Sequence, residues 1–351
     1  MDISTQIVIS IHTADRPLRR AIKSVLSDAQ SGVVVVAHNI DPTLLDIPDD
    51  DRVMVINHIG NNGMPGAPCN TGLEATTAAW VGKLDSDDLY QPGAIAAMRE
   101  RARNDGADAV IPAVFKQGKR NKTWIPTLRS SNLEAARDGL FYQTAPFGIF
   151  KRSALLDRVR FREDLPSGED IRVSADLWTA GLSVSHYPQD PAYVVTDDAP
   201  RRATSSRYPL ELVGLSWTQV WDESFIRRWD IRTRQAFGTK IARLHLLGAI
   251  HDLQLDGDKV REEELQWLAK AIARLRLESP KFDNPLAKSQ TQLIRSAEHG
   301  ELPPLSNEPF DLNQLPFRPW CAITEPDSAF RRRVKNFIWN KRQSRKRARH
   351  K

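Results

Sequence analysis

Short apolar runs recur through the first 115 residues, and helical stripes separate them. This alternation constrains the fold more than any other feature of the chain. Residues 6–11 (QIVISI) read as a buried strand, and Pro17 to Leu26 as a helix with Leu18, Ile22, Val25 and Leu26 on one stripe. Val33 to Val36 and Val53 to Ile56 read as strands of the fully buried type. Helix 70–79, strand 80–84, helix 92–104 and strand 108–115 continue the series. Strands that alternate with helices predict an α/β fold with a parallel sheet covered on both faces. In such sheets ligands sit beyond the carboxyl ends of the strands.

Beyond residue 115 the pattern loosens into the apolar stretch Phe141 to Phe150, a helix over 152–157 and the turn Pro166-Ser167-Gly168-Glu169-Asp170. A helix then runs to Gly181, and short strands at 183–187 and 192–196 close the region. From about 205 the residues turn helical, with apolar stripes over 232–255 and 260–278. The expected organisation is a catalytic domain over 1–204, a helical region over 205–279, a Pro-rich link over 280–329 and a basic tail over 330–351.

Charge separates the tail from the rest. The chain holds 50 basic and 44 acidic residues, a formal net charge of +6. Phe330 to Lys351 carries 11 of the basic residues and no acid, so residues 1–329 have 39 basic against 44 acidic. A nucleic-acid-binding body carries a basic face of its own, and this balance gives no sign of one; nucleic acid is not an expected partner. No apolar run reaches the ~18–20 residues of a membrane span. The start of the chain lacks the basic and apolar stretches of a secretory signal. Two cysteines, Cys69 and Cys321, define neither a disulfide framework nor a metal knuckle, so a cytoplasmic setting is expected.

Asp85-Ser86-Asp87-Asp88 is the sharpest local signal. Three carboxylates just past a buried strand repel one another unless a cation neutralises them. A divalent ion with oxygen ligands fits, and a bound nucleoside diphosphate would supply further oxygens; a solvated turn capping the next helix is the plainer reading. Glu169 and Asp170 form the second acidic point, at a helix start where negative charge is favoured in any case. A carboxylate aimed into a cleft there can act as general base toward a hydroxyl. Asn61 to Gly72 (NNGMPGAPCNTG) is the third feature, with glycines that let backbone approach a ligand.

In this order the pieces resemble the family 2 glycosyltransferases of the GT-A fold, over about residues 5–200. Arg20 to Leu26 is similar to the family's "ai.SvL" helix, and Asn62-Gly63 with Cys69 to Gly72 to its "N.G...arN.G" stretch. Leu84 to Asp88 with Pro92-Gly93-Ala94 resembles "lDsDD...pgal". Gly168-Glu169-Asp170, then Leu177-Trp178 and Ala180-Gly181, resembles the "ED" element. Within the family, the span Asn70 to Leu89, and Phe141-Tyr142 ahead of Phe150 to Ser153, look like enzymes that glycosylate wall teichoic acid.

The resemblance implies a Rossmann-like mixed sheet and an inverting, metal-dependent transfer. The sugar would leave a nucleotide donor, expected to be UDP-linked, for a hydroxyl of a surface glycan or polyol-phosphate chain. His12, Thr13, Ala14, His38, Asn39, Asn62, Gly63, Asn70, Asp85, Ser86 and Asp87 are the implied donor contacts. Asp87 with Asp85 would hold Mg²⁺ or Mn²⁺, Asp88 would support the loop, and Asp170, beside Glu169, would be the base. Three departures matter. The family's Pro-Thr-Tyr is Ile11-His12-Thr13 here, its acidic contact to the base is replaced by Ala37-His38-Asn39, and the Arg of "arN" is Cys69. Lys83 and Arg172 are the candidates to replace that lost cation.

In the tail, Phe330, Val334, Phe337 and Ile338 recur at helical spacing, with Trp339 beside them and Arg331, Arg332, Arg333 and Lys335 on the other face. A cationic amphipathic helix of this kind points to an anionic membrane surface. A solubilising end is the alternative. Trp217, Trp221 and Trp229 read as helical core ahead of a sugar-stacking role, and the helices of 232–278 are candidates for self-association. A nucleotidyltransferase and an inactive scaffold are the competing readings. The first should carry a glycine-rich loop after strand one, and Ile11 to Pro17 has no glycine. The second should have lost an acidic motif, and both are intact.

Overall fold

The computed structural model describes residues 3–60, 63–116, 125, 127–156, 158–198 and 208–305, with residues 334, 337, 338 and 341 beyond them. The chain forms two compact units. One holds the chain up to 125, 129–134 and 143–208; the other holds 126–128, 135–142 and the chain from 209 onward.

The first unit opens with β1 (Thr5–Ile11), α1 (Leu18–Leu26), β2 (Ser31–His38) and β3 (Val53–His58). Then come α2 (Gly66–Ala75), β4 (Trp80–Lys83), β5 (Leu89–Tyr90), α3 (Ala94–Asp105), β6 (Ala109–Ile111) and β7 (Val114–Lys116). After α4 (Ala135–Asp138), which belongs to the other unit, follow β8 (Gly148–Lys151), α5 (Arg152–Leu155), α6 (Asp170–Leu177), β9 (Val184–His186) and β10 (Tyr193–Val195). Seven strands form one sheet in the order β3-β2-β1-β4-β8-β6-β9.

Every residue of β2 is buried, which is what a run of four valines with helices on both faces requires. The core packs Ile7, Ile9 and Ile11 of β1 and Val33 and Val35 of β2 against Leu18, Ala21, Ile22 and Val25 of α1. On the other face α2 lies so close that a Cβ on Gly72 would sit 2.3 Å from Val8 Cγ1 and 2.9 Å from Val36 Cγ2. Glycine at this point of the Asn-Thr-Gly stretch is therefore a packing requirement.

The sheet is mixed and not wholly parallel. β8 runs antiparallel to both β4 and β6, while the other pairings are parallel. A short apolar run carries no record of its direction, which is why the alternating pattern suggested a parallel sheet throughout. The strand expected over 108–115 is divided into β6 and β7, which enter different sheets. A smaller sheet, β5-β10-β7, pairs Tyr90 with Tyr193 and Leu89 with Val194. This pairing draws residues 196–198 alongside the acidic loop 85–88.

The second unit is helical: α7 (Leu210–Thr218), α8 (Ile231–Ile241), α9 (Leu247–Asp256), α10 (Glu262–Glu278) and α11 (Lys288–Glu298). A π turn, Ala242–Leu246, joins α8 to α9. Trp221, Trp229, Phe141 and Phe237 cluster edge-on and tilted with centroids 5.2–6.3 Å apart. Trp217 meets Trp267 at 5.6 Å. All three tryptophans singled out in the sequence are buried core side chains, and His245 packs inside, 2.9 Å from Lys240 Nζ. α11 lies within the stretch expected to be a Pro-rich link. Most of the 330–351 segment lies outside the described residues; Val334, Phe337, Ile338 and Lys341 are helical, with Val334 and Phe337 exposed. Among the described residues no helix is long and apolar enough to cross a membrane.

Candidate active site

β4 ends at Lys83, and the next turn carries the carboxylates. Asp88 N–H closes the turn on Asp85 O at 3.0 Å. Ser86, Asp87 and Asp88 are buried, whereas Asp85 is partly exposed. Each aspartate has a different partner. Asp85 Oδ1 is 2.7 Å from Lys83 Nζ. Asp87 Oδ1 is 3.0 Å from Arg16 Nη1, which also donates to Ser86 Oγ at 3.3 Å. Asp88 accepts from Tyr193 Oη at 2.8 Å and Thr196 N at 2.9 Å. Its carboxyl is pushed up to about 7, first by burial and then by Asp85. Asp88 thus ties the loop to the smaller sheet. Arg20, on α1, also holds the loop: it donates to the Asp87 carbonyl and pairs with both oxygens of Asp198 at 2.5 and 2.9 Å.

The second acidic point opens α6. Gly168 takes φ +81°, a left-handed turn that favours glycine, and Glu169 and Asp170 begin the helix. Burial pushes the Glu169 carboxyl up to about 7; Asp170 adds to the shift and Lys83 opposes it, with Asp85 a weaker contributor. Glu169 therefore lies within the electrostatic field of the residues that flank the first cluster. Burial opposes the charge of Lys83, yet Asp85, Cys69 and Glu169 together hold its ammonium well above the usual range. Cys69, fully buried, has its thiol pushed up to about 11 by that burial. Of the two candidates to replace the family's lost Arg, Lys83 is the one beside Cys69; Arg172 donates to the Arg160 carbonyl at 3.3 Å.

The remaining predicted contacts divide. His12 stands at the end of β1, where partial burial, then Arg16 and His38, lower its pKa, against Asp15 and Asp87. Thr13 Oγ1 donates to Asp15 at 2.6 Å, and Ala14 is exposed beside it. His38 and Asn39 end β2, but both turn to the loop after β3. His38 Nε2 is 3.0 Å from Gly60 O; Asn39 donates to that oxygen at 2.9 Å and accepts from Gly60 N at 2.8 Å. Asn70 is a buried clamp. Its amide donates to Phe161 O at 3.0 Å and Glu163 Oε1 at 2.8 Å, and accepts from Phe161 N at 2.9 Å. Gly63 is described and exposed; Asn62 lies outside the described residues. Sequence reasoning missed Arg16, Tyr193 and Thr196. A lone arginine after a loop carries no signature, and the smaller-sheet residues enter the site only through the β5–β10 pairing.

Residues 6–160 match the family model described as Glycosyl transferase family 2. The succinoglycan biosynthesis protein ExoO of Rhizobium meliloti (strain 1021) is 27% identical over 346 residues, covering 87% of this chain and 95% of that protein. The poly(ribitol-phosphate) beta-N-acetylglucosaminyltransferase TarP of Staphylococcus aureus (strain N315) is 21% identical over 249 residues, covering 67% and 75%. Among solved structures, S. aureus TarS 1-349 in complex with UDP-GlcNAc matches with a TM-score of 0.69 at 16% identity, covering 86% of this chain and 88% of that one. The same protein with UDP gives 0.66.

Proposed function

We propose that this chain, whose residues 6–160 match the Glycosyl transferase family 2 model and whose fold matches that of TarS, moves a hexose or N-acetylhexosamine from a UDP-sugar to a hydroxyl of a surface glycan or polyol-phosphate chain. The observation that carries this reading is the acidic loop at the end of β4, where Lys83 and Arg16 hold Asp85 and Asp87 on a sheet that matches that of TarS. TarP, a poly(ribitol-phosphate) beta-N-acetylglucosaminyltransferase, and TarS, solved in complex with UDP-GlcNAc, support the donor and acceptor classes.

In this reading Asp170 takes the proton from the acceptor hydroxyl. The hydroxyl oxygen bonds to the anomeric carbon as the bond to UDP breaks, and the configuration inverts in one displacement. Glu169 stands beside the base. Asp85 and Asp87 supply the hard oxygens that suit Mg²⁺ or Mn²⁺. Among the described residues no group of three or more His, Cys, Asp or Glu forms a metal cluster, so Asp85 and Asp87 would hold a divalent ion weakly by themselves and more tightly once the diphosphate adds its oxygens. Such an ion would neutralise the leaving diphosphate. Asp88 and Arg20 keep the loop in place. The basic tail would hold the protein at an anionic membrane surface, a role that vesicle co-sedimentation with and without 330–351 tests; equal binding removes it.

A hydrolysis and transfer screen over UDP-, GDP- and TDP-sugars with Mn²⁺ tests the main reading. Turnover confined to UDP-sugars, and lost in both D87N and D170N, is expected. Unchanged turnover in both variants would overturn the roles assigned to Asp87 and Asp170.

A further inference from the structure

Asp87, the central carboxylate of the acidic loop, is already held by one of the chain's own cations. Arg16 Nη1 lies 3.0 Å from Asp87 Oδ1, and the two side chains are only 9% and 8% exposed. Arg16 sits in the loop between β1 and α1, just ahead of Pro17, whereas Arg20 one turn later is occupied by Asp198, Thr196 and the Asp87 carbonyl. The two arginines thus do different work: Arg20 fixes the loop's backbone and Arg16 engages its carboxylate.

A guanidinium and a divalent cation on the same carboxylate oxygen would stand a few ångströms apart with like charge and little water between them, so they compete. In the proposed function the diphosphate completes the cation's ligands at this loop, so a guanidinium displaced from Asp87 would meet a group whose paired oxygens match its fork. The α1 N-terminus, at the same end of the loop, favours negative charge there as well.

We propose that Arg16 is an exchange latch: it holds Asp87 while no donor is present and passes to the diphosphate when Asp87 takes a divalent cation, so cation and nucleotide enter together. The proposal rests on the nucleotide-sugar reading of the site. It gives Arg16 opposite effects on two ligands, which a purely structural arginine does not have.

Calorimetric titration of wild type, R16M and R16K tests it, with Mn²⁺ alone, with UDP in chelator, and with both. R16M is expected to bind Mn²⁺ alone about tenfold more tightly than wild type and UDP with Mn²⁺ present about tenfold more weakly, with UDP in chelator little changed, each tenfold step being about 1.4 kcal/mol. R16K keeps the charge without the fork and is expected to fall between the two in both titrations; it also serves if R16M does not fold. Equal Mn²⁺ affinity in all three proteins, or weaker Mn²⁺ binding in R16M and R16K, would overturn the latch. Failure of UDP to bind any of the three with Mn²⁺ present would overturn the donor reading instead, and the Mn²⁺ titration would still decide whether Arg16 competes for Asp87.

Discussion

The two acidic points of the site are built in opposite ways. In the 85–88 loop each carboxylate has a close partner: Lys83 for Asp85, Arg16 for Asp87, Tyr193 and Thr196 for Asp88. At the start of α6, no ion pair holds Glu169 among the described residues, and Asp170 stands next to it. Direct compensation keeps a cluster charged and placed, which suits binding. A half-buried carboxyl beside a like charge gains proton affinity instead, and desolvation with Asp170 pushes Glu169 up to about 7. That is the property of an acid–base centre near neutral pH. In the proposed function the first cluster would hold a ligand and the second would move a proton.

The largest test of this contrast is on turnover. D170N is expected to lower kcat by about 10²–10⁴-fold, the usual contribution of a general base, with donor KM little changed. D87N is expected to raise donor KM as well as lower kcat. Steady-state kinetics with varied donor separates the two patterns, and the same pattern in both variants would erase the division of labour.

Asn70 marks the boundary between site and scaffold. N70A strands the Phe161 backbone groups that the amide satisfies, so a loss of about 2–3 kcal/mol is expected in denaturant unfolding, with donor KM unchanged. A large rise in KM without a loss of stability would return Asn70 to the donor site.

These two residues show what could be read in advance. The placement of Asp87 just past a strand and of Asp170 at a helix start was legible because their order along the chain matches a family pattern; the roles given to them belong to the proposed function. Asn70 belongs to the same pattern, but a motif does not say which way a side chain turns; packing of the 161–163 loop decides that. The strands were legible from their valines and isoleucines, yet the reversal of β8 was not, because direction is set by pairing partners far along the chain. Lys83 was visible as a candidate cation only because Cys69 left a gap in the pattern. Arg16 was invisible, since its partner is 71 positions away.

Lys83 links the two clusters, and its removal should be felt in both. K83M is expected to raise donor KM about tenfold through the lost charged contact to Asp85, while K83R restores most of it. Lys83 also restrains the proton affinity of Glu169, so K83M should move any acidic limb set by Glu169 in the kcat/KM profile to higher pH. An unmoved limb would show that Lys83 does not act on that carboxyl.

The smallest expected effect is on stability, and its sign follows from proton linkage. With Glu169 at about 7 in the folded chain and near the ordinary carboxyl range when unfolded, the folded state holds a proton that the unfolded state has released between those values. Stability from this group is fully present below the unfolded pKa and is lost as pH rises through 7. E169Q cannot release a proton, so its unfolding free energy should fall less between pH 5 and 8 than that of wild type, by on the order of 1 kcal/mol. Asp88, also near 7, keeps its own share of the slope, so the slope should flatten and not vanish. Denaturant titrations at the two pH values measure the difference. Parallel curves for E169Q and wild type would mean that Glu169 is as readily ionised as an exposed carboxyl, and the contrast between the two acidic points would then have to rest on position alone.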